Sequence, residues 1–311
     1  MDTPLFSIII PHYDIPDLLM RCLKSIPVSE DIQVIVVDDN SPDADTYLER
    51  YPELSRPYLE FILTTKGGGA GYARNVGLDH AKGKWLLFAD ADDFFVEDMY
   101  DIIYSNVDSE SDVIFFKKKS VLSDNIDTNI VRDAYIDRII IQYLENGDEW
   151  PIRFMYYPIW NKMIKYALII KYNIRFDEVR YSNDAYFSLL VGYHERTIKV
   201  VNKVLYVLTS RPNSLVDNYC SKPNELRERA EVHYRLDKLL HQHHMCRRRS
   251  IVQYMLLMLS QDRDLFKCYF FKLDELYPSK LSAIFDISRG ESLKFKIKFY
   301  LYSLLVWTRV L

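Results

Sequence analysis

Residues 85–94 read Trp-Leu-Leu-Phe-Ala-Asp-Ala-Asp-Asp-Phe, and this stretch decides the fold. Its apolar half, Trp85–Phe88, predicts a short buried strand, so Asp90, Asp92 and Asp93 follow the carboxyl end of that strand. Open α/β sheets bind their ligands at this end of the strands. Carboxylates this close repel one another unless a cation or a partner offsets their charge. Taken alone, the stretch is explained equally well by an acidic turn that caps the next helix. The surrounding sequence has to decide between this turn and a ligand-binding strand end.

Strands and helices alternate on both sides of this stretch. Apolar runs predict further strands at residues 6–10, 33–37, 59–64, 111–116 and 198–208. Helical patterns occupy residues 17–26 (with Asp14 as N-cap), 72–81, 160–171 and 184–191. This alternation predicts an α/β fold, a mostly parallel central sheet flanked by helices. We place a boundary after residue 222 and expect a helical C-terminal extension over residues 223–311.

The composition fits a soluble globular protein, with 311 residues, 49% hydrophobic and 27% charged. A net charge of −4 gives no argument for a nucleic-acid partner. Residues 225–311 hold 16 Lys and Arg against 10 Asp and Glu, whereas the rest of the chain is acidic, so the tail is expected to make a surface contact. The four cysteines show no Cys-x-x-Cys spacing and predict reduced thiols. Since neither an apolar leader nor a run of 18 apolar residues is present, we expect a cytoplasmic protein.

A second acidic strand end occurs at Asp38 and Asp39, after the strand predicted at 33–37. In a parallel sheet these acids and those after Phe88 project from the same edge. A nucleoside diphosphate with Mg²⁺ or Mn²⁺ suits such an edge, because it combines N–H donors, hydroxyls and a cation. The glycine-rich loop 67–71 precedes a helix, whose first amides favour phosphate. This loop matches neither the Rossmann nor the P-loop pattern, so those two folds are disfavoured.

Four ordered motifs resemble the family 2 inverting glycosyltransferases of the GT-A fold. They are Ser-Ile-Ile-Ile-Pro-His-Tyr at 7–13, Val-Val-Asp-Asp-Asn-Ser-Pro-Asp at 36–43, Ala-Arg-Asn-Val-Gly-Leu at 73–78 and Asp-Ala-Asp-Asp at 90–93. The resemblance continues through residues 160–162, 174–177, 183–187 and 206–214, about two thirds of the chain. It implies a GT-A-like catalytic domain over 1–222, with a nucleotide-sugar half at about 1–110 and an acceptor half at about 111–222.

The resemblance also implies which residues contact the donor. Pro11 and Tyr13 are expected to line the base pocket, where Tyr13 stacks on the base unless it only packs against the protein. Asp39 is expected to accept a hydrogen bond from the base, which favours uracil. Arg74 and Asn75 are expected on the donor side, with a cap at the helix start as the alternative for Asn75.

The acids after Phe88 are expected to contact the other parts of the donor, the ribose and the diphosphate with its cation. By the same resemblance, Asp90 contacts the ribose and Asp92 holds Mn²⁺ or Mg²⁺ on the diphosphate. The cation is needed because a departing nucleoside diphosphate concentrates negative charge. Asp93 receives no firm role, since an acid at a helix start is favoured by the helix dipole alone.

The acceptor half contains the expected base. An inverting transfer needs a group that removes the proton of the acceptor hydroxyl, and the resemblance assigns this role to Asp184, for which a helix N-cap is the alternative. The family usually has Glu where this chain has Asn183, so Asp184 lacks a like charge beside it and its pKa should be less raised. Trp160, Lys162 and Arg211 are expected to shape the acceptor side, although Trp160 fits the core equally well and Arg211 fits a phosphate or a surface loop.

The basic, aromatic segment 293–311 fits two interpretations. It suits an anionic membrane surface, where a lipid-linked acceptor would be found, and it suits docking onto the catalytic domain or a second subunit. The resemblance implies a metal-dependent inverting glycosyltransferase that moves a sugar from a UDP-sugar to a hydroxyl of a glycan or lipid-linked glycan, and together with this tail it implies a role in bacterial surface polysaccharide synthesis. A nucleotidyltransferase and a non-catalytic nucleotide- or glycan-binding module are the alternatives.

Overall fold

The computed structural model describes residues 3–211 and 223–287, together with a few single residues beyond 295. The chain divides into two compact units, residues 1–217 and 218–311. The predicted boundary after residue 222 and most of the segment 293–311 lie outside the described residues. The membrane or partner contact expected from that segment therefore stays a prediction.

In the described part of the first unit, eight strands form one mixed sheet in the order β3-β2-β1-β4-β7-β6-β8-β5. The strands are β1 Phe6–His12, β2 Ile32–Asp38, β3 Leu59–Leu63, β4 Trp85–Phe88, β5 Phe94–Phe95, β6 Val113–Leu122, β7 Lys162–Lys165 and β8 Ile198–Ser210. Strands β3, β2, β1 and β4 pair in parallel, as do β6 and β8. Strands β7 and β5 pair antiparallel with their neighbours. The predicted fold class is confirmed.

Helices flank the sheet of the first unit and make up most of the second. Those of the first unit are α1 Pro16–Lys24, α2 Tyr47–Arg50, α3 Gly69–His80, α4 Met99–Tyr104, α5 Ala134–Asn146, α6 Glu149–Phe154, α7 Tyr166–Tyr172 and α8 Asn183–His194. Those described in the second unit are α9 Pro223–Gln242, α10 Ile251–Gln261, α11 Arg263–Lys272 and α12 Lys280–Ile287. None of the helices described here combines the length and the apolar character needed to cross a bilayer.

Two local predictions are wrong. Asp14 is not the N-cap of α1, because its φ is +51° and the helix begins at Pro16 behind Ile15. The helix predicted at 160–171 begins only at Tyr166, since residues 162–165 form β7 between β4 and β6. Pairing with strands on both sides gives this segment backbone hydrogen bonds that outweigh its local helical pattern.

The central strands place the acidic ends at one edge of the sheet. Every residue of β1 and of β4 is buried, as expected for parallel strands covered on both faces. Because β1 lies between β2 and β4 and is parallel to both, the carboxyl ends of the three strands meet at the same edge. Asp39 and Asp90 therefore leave the sheet on the same side, as the sequence predicts.

Helix α3 packs very closely against the segment that precedes α8. A Cβ atom added at Gly71 would lie 2.0 Å from the Asp177 carbonyl oxygen and 3.2 Å from the Asn183 Cβ. We expect Gly71→Ala to lower the free energy of unfolding by about 1–3 kcal/mol, the usual cost of overpacking. Thermal unfolding measures this, with Gly67→Ala as the control, because a Cβ at Gly67 meets no atom closer than 3.6 Å. Equal Tm values for the two variants would contradict the close contact.

The second unit has a separate apolar core, built around Met255, Phe266 and Phe270. Asp237 of α9 is buried in it and accepts hydrogen bonds from the amides of Ser250 and Ile251 at 2.8 and 2.7 Å. These bonds satisfy donors at the start of α10, which helix geometry would otherwise leave without partners.

Candidate active site

The carboxylate of Asp39 is fixed at the start of α3. Its Oδ1 accepts from the Gly68 amide at 2.8 Å and its Oδ2 from the Gly69 amide at 2.7 Å. The first amides of α3 are thus already bound to a carboxylate, so the expectation that this loop cradles phosphate is wrong for these two amides. Each carboxylate oxygen still has a lone pair that can accept a hydrogen bond from a base.

Asp38 holds the turn beneath Asp39. Its carboxylate accepts from His12 Nδ1 at 2.6 Å, from the Ser41 amide at 2.7 Å and from the Ser41 hydroxyl at 2.8 Å. Burial alone would raise the pKa of Asp38, but these hydrogen bonds outweigh it and lower the pKa below its usual value. Asp38 is therefore a charged structural residue of the turn.

Tyr13 presents its ring to solvent at the carboxyl end of β1. Its side chain is 56% exposed, so packing against the protein does not account for it. Pro11, two positions before Tyr13, is buried within β1. An exposed ring directly after a central strand is available to stack on a flat ligand.

The three acids after β4 have different surroundings. The side chains of Asp90 and Asp92 are 35% and 27% exposed, whereas Asp93 is buried and accepts from the Thr209 amide at 2.7 Å. Burial, and after it the charges of Asp92 and Asp90, raise the pKa of Asp93 well above its usual value. Asp93 therefore ties the acidic loop to β8, while Asp90 and Asp92 face outward.

Buried side chains hold the backbone of the acidic loop. Arg21 donates to the Asp92 carbonyl at 2.5 Å, and the Thr209 hydroxyl donates to the same oxygen at 2.7 Å. The Asp90 amide donates to the Tyr206 hydroxyl at 2.8 Å. Arg21 was not found from the sequence, because no local pattern connects it with a loop 71 positions away.

Arg211 lies against Asp92. Its Nε is 3.3 Å from Asp92 Oδ2. Burial and the charge of Asp90 raise the pKa of Asp92, and Arg211 opposes this rise. The charge of Arg211 thus lies beside the candidate cation ligand, and its expected contact with the acceptor stays a prediction.

Arg74 connects the acidic loop with the start of α8. Its side chain is buried, and its Nη2 donates to Asp90 Oδ1 at 2.7 Å while its Nη1 donates to Asn183 Oδ1 at 2.6 Å. The guanidinium carbon also lies 5.5 Å from the centre of the Phe176 ring. Arg74 thus links Asp90 to Asn183 through one hydrogen bond to each of them.

Asn75 is bound to the protein backbone. Its side-chain amide donates to the Phe176 carbonyl at 3.0 Å and accepts from the Phe176 amide at 2.9 Å. Since α3 begins at Gly69, Asn75 is not a cap at the helix start. It positions the segment before α8, and the donor contact expected of it stays a prediction.

Asp184 is the second residue of α8, where Ser182 is the N-cap, so the N-cap interpretation of Asp184 is wrong. Burial raises the pKa of Asp184, and the charges of Arg74 and Lys162 partly offset this rise. The neighbouring Tyr135 of α5 was not found from the sequence. Its pKa is raised well above the usual value by burial and then by the charges of Asp133 and Asp184, although its ring is 37% exposed.

Lys162 lies beneath α8 and not on an acceptor surface. It is 2% exposed, and its Nζ donates to the Tyr156 carbonyl at 2.7 Å and to the Ser188 hydroxyl at 3.2 Å. Burial lowers the pKa of Lys162 to about 7. The expected acceptor contact is therefore corrected to support of α8 from below. Trp160 is buried as well and stacks on Tyr206 at 5.4 Å, which agrees with its core interpretation.

Asp90 and Asp92 are the carboxylates of this edge that a cation could contact. Among the described residues, no group of three or more His, Cys, Asp or Glu side chains is arranged to hold a metal ion. Mg²⁺ and similar cations are commonly held by one or two carboxylates together with substrate phosphates. The outward-facing Asp92, with Asp90 nearby, fits this second kind of site.

Comparison with protein families gives a match to the model described as Glycosyl transferase family 2, over residues 7–171. The uncharacterized glycosyltransferase EpsJ of Bacillus subtilis is 26% identical over 227 residues, which are 69% of this chain and 63% of EpsJ. The poly(ribitol-phosphate) beta-N-acetylglucosaminyltransferase TarS of Staphylococcus aureus is 25% identical over 231 residues, 72% of this chain and 39% of TarS. The matched part is thus less than two thirds of either relative.

Solved structures give the same fold. TarS 1–349 in complex with UDP-GlcNAc has a TM-score of 0.58 and 22% identity, and the match covers 76% of this chain and 71% of TarS 1–349. The mannosyltransferase PcManGT of Pyrobaculum calidifontis, in complex with GDP-Man and Mn²⁺, has a TM-score of 0.51 and 15% identity over 98% of this chain and 81% of its own. At these identities the likeness establishes the architecture.

Proposed function

The chain belongs to glycosyl transferase family 2, and on that premise we propose that it is a metal-dependent inverting glycosyltransferase. It moves a sugar from a UDP-sugar to a hydroxyl of a glycan or lipid-linked glycan. One observation carries the proposal: Arg74 joins Asp90, at the sheet edge, to Asn183, directly before Asp184. Donor-binding acids and a candidate base are thereby gathered around one side chain.

The donor is proposed to lie across the carboxyl ends of β1, β2 and β4. Tyr13 is free to stack on the base, Asp39 has acceptor lone pairs for a base N–H, and the carboxylate of Asp90 can accept from ribose hydroxyls. The two structural neighbours carry a UDP-sugar and a GDP-sugar, so the fold alone does not choose the base. The preference for uracil rests on Asp39, whose carboxylate accepts the single N3–H of that ring.

Asp92 is proposed to hold the cation, with the diphosphate oxygens supplying further ligands. The cation, when bound, stabilises the negative charge of the departing nucleoside diphosphate. Arg211, which lies 3.3 Å from Asp92, adds a positive charge at the same place. The chain therefore has its own cation beside the position where the leaving group develops charge.

Asp184 is proposed as the general base. As the acceptor oxygen attacks C1 of the sugar, the Asp184 carboxylate takes the hydroxyl proton. The C1–O bond to the diphosphate breaks on the opposite face, and its electron pair leaves with the diphosphate oxygen. Burial favours this role, because a raised pKa makes the carboxylate a stronger base than an exposed one.

The acceptor class is proposed from the relatives. TarS is named for transfer to poly(ribitol-phosphate), which is a polymer. We accordingly assign this chain to bacterial surface polysaccharide synthesis on the cytoplasmic side of the membrane, where segment 293–311 would contact the lipid surface. Thermal-shift measurements with UDP- and GDP-sugars, with and without Mn²⁺, test the donor. We expect UDP-sugars with Mn²⁺ to raise the Tm most, and an equal or larger rise with GDP-sugars would contradict the assignment.

We expect Mn²⁺ and UDP to bind jointly. The described part of the protein provides no group of three metal-binding side chains, so the diphosphate has to complete the coordination. Electron paramagnetic resonance of free Mn²⁺ should show weak binding to the protein alone and much tighter binding when UDP is present. Equal Mn²⁺ affinity with and without UDP would contradict a shared site.

A further inference from the structure

We propose that Arg74 is a positioning residue for the base Asp184, beyond the donor-side place expected of it. The inference rests on the proposed function. The guanidinium group donates to Asp90 Oδ1 at 2.7 Å and to Asn183 Oδ1 at 2.6 Å. Asp90 follows β4 at the donor edge, whereas Asn183 directly precedes Asp184 in the first turn of α8. One planar group therefore sets the distance between the donor half and the base.

The surroundings make this connection rigid. Arg74 is buried, and the Phe176 ring lies 5.5 Å from its guanidinium carbon. Phe176 in turn stacks on Phe187 of α8, with ring centres 3.9 Å apart and planes 6° from parallel. The helix that carries Arg74 is itself fixed, because Asp39 binds its first amides and Gly71 contacts the segment before α8. Arg74 is therefore held between two partners on elements that are themselves closely packed.

The two contacts need the geometry of arginine. A guanidinium group presents several N–H donors in one plane, whereas a lysine ammonium is a compact point charge on a flexible chain. Lysine at position 74 would keep the positive charge but would not hold both acceptors in one plane. The substitution Arg74→Lys therefore tests the geometry of the side chain while the positive charge is kept.

Asn183 makes the arrangement particular to this chain. The resemblance leads one to expect an acid here, which would neutralise Arg74 from the side of α8. The neutral amide accepts the same hydrogen bond without adding a negative charge, while the ion pair of Arg74 is with Asp90. The charged or titratable groups near Asp184 come from four elements: Arg74 of α3, Asp90 after β4, Lys162 of β7 and Tyr135 of α5.

Steady-state kinetics of Arg74→Lys, Asn183→Ala and the double variant test the inference. We expect Arg74→Lys to lower kcat by about 10²-fold and Asn183→Ala by roughly tenfold, since misplacing a reacting group by about 1 Å has effects of this size. The affinity of Asn183→Ala for UDP with Mn²⁺ should be unchanged, because the donor edge is intact. The double variant should be no slower than Arg74→Lys, since both changes break one connection. Arg196→Lys is the control, because Arg196 is an exposed arginine that follows α8.

The pH dependence gives a readout that a merely structural role would not move. Asn183→Asp keeps the acceptor for Arg74 and adds a negative charge beside Asp184, which favours the protonated form of the base. Activity requires the deprotonated form, so the acid limb of kcat should move to higher pH. In Arg74→Lys the charge remains and the acid limb should stay in place.

A purely donor-side role for Arg74 would give a different pattern. Arg74→Lys would then raise the KM for the donor alone, and Asn183→Ala would leave kcat unchanged, which overturns the inference. If Arg74→Lys does not fold, Asn183→Ala and Asn183→Asp decide by themselves. The variant Asp184→Asn separates the two proposals. If only the positioning role of Arg74 is wrong, Asp184→Asn still abolishes transfer. If Asp184 is not the base, Asp184→Asn leaves transfer unchanged.

Discussion

Asp184→Asn is expected to abolish sugar transfer while leaving donor binding intact. The amide has the size of the carboxylate but cannot take a proton from the acceptor hydroxyl, and loss of a general base typically costs about 10²–10⁴-fold in rate. Donor binding should survive, because the proposed donor contacts are made by residues after β1, β2 and β4. Measurement of kcat for UDP release, together with calorimetry of UDP and Mn²⁺ binding, separates the two effects.

Glu145→Gln is the matched control for this prediction. Glu145 is an exposed carboxylate on α5, so the same chemical change there should leave transfer unaffected. Transfer by Asp184→Asn at the rate of the unmodified protein would remove Asp184 from the mechanism. Loss of donor binding in the same variant would indicate that Asp184 belongs to the donor pocket instead.

Asp92→Ala is expected to remove the dependence of donor binding on the cation. Asp92 is partly exposed and is the proposed cation ligand, so its loss removes the cation that would offset the diphosphate charge and leaves only Arg211 there. Transfer should fall by about 10²–10³-fold, as is common when one group that stabilises developing charge is lost. Calorimetry should show that UDP binds this variant equally weakly with and without Mn²⁺.

Glu97→Ala provides the comparison, because Glu97 is an exposed acid five positions after Asp92, beyond β5. It should retain the effect of Mn²⁺ on UDP binding in full. If Asp92→Ala also retained that effect, the cation would have to be held elsewhere. A uniform loss of binding with an unfolding transition at much lower temperature would mean that the Arg211 contact stabilises the loop.

The sequence alone was enough to predict the features that depend on a local pattern of residues. Strand β4 and the acids after it were predicted from one apolar run and the residues that follow. Strand β7 was missed because its identity depends on pairing with β4 and β6, which lie far away along the chain. A propensity pattern contains no information about such partners.

The site residues show the same difference between what a local motif predicts and what depends on distant contacts. The motifs identified Asp39, Arg74 and Asp184 as residue types in a known order, which is a property of the sequence. They did not reveal that Arg74 binds Asn183 across 109 positions, nor that Asp39 binds the amides of Gly68 and Gly69. Such contacts exist only after α3 has packed between the sheet edge and α8.

Lys162 illustrates how burial changes a role. The family resemblance led us to expect this cation on the acceptor side. In the fold its Nζ lies among buried groups and donates to Ser188, one helical turn after Asp184. Lys162 is therefore still close to the proposed base Asp184. It supports the helix that carries Asp184 and does not contact the acceptor.

Proton NMR of the first sugar released from an α-linked UDP-sugar tests the central claim most directly. With water in place of the acceptor, attack on C1 opposite the departing diphosphate inverts that carbon. The β-anomer should therefore appear first, before mutarotation, and Asp184→Asn should release neither anomer. Initial release of the α-anomer, or no release from any UDP-sugar in the presence of Mn²⁺, would contradict an inverting transferase with Asp184 as its base.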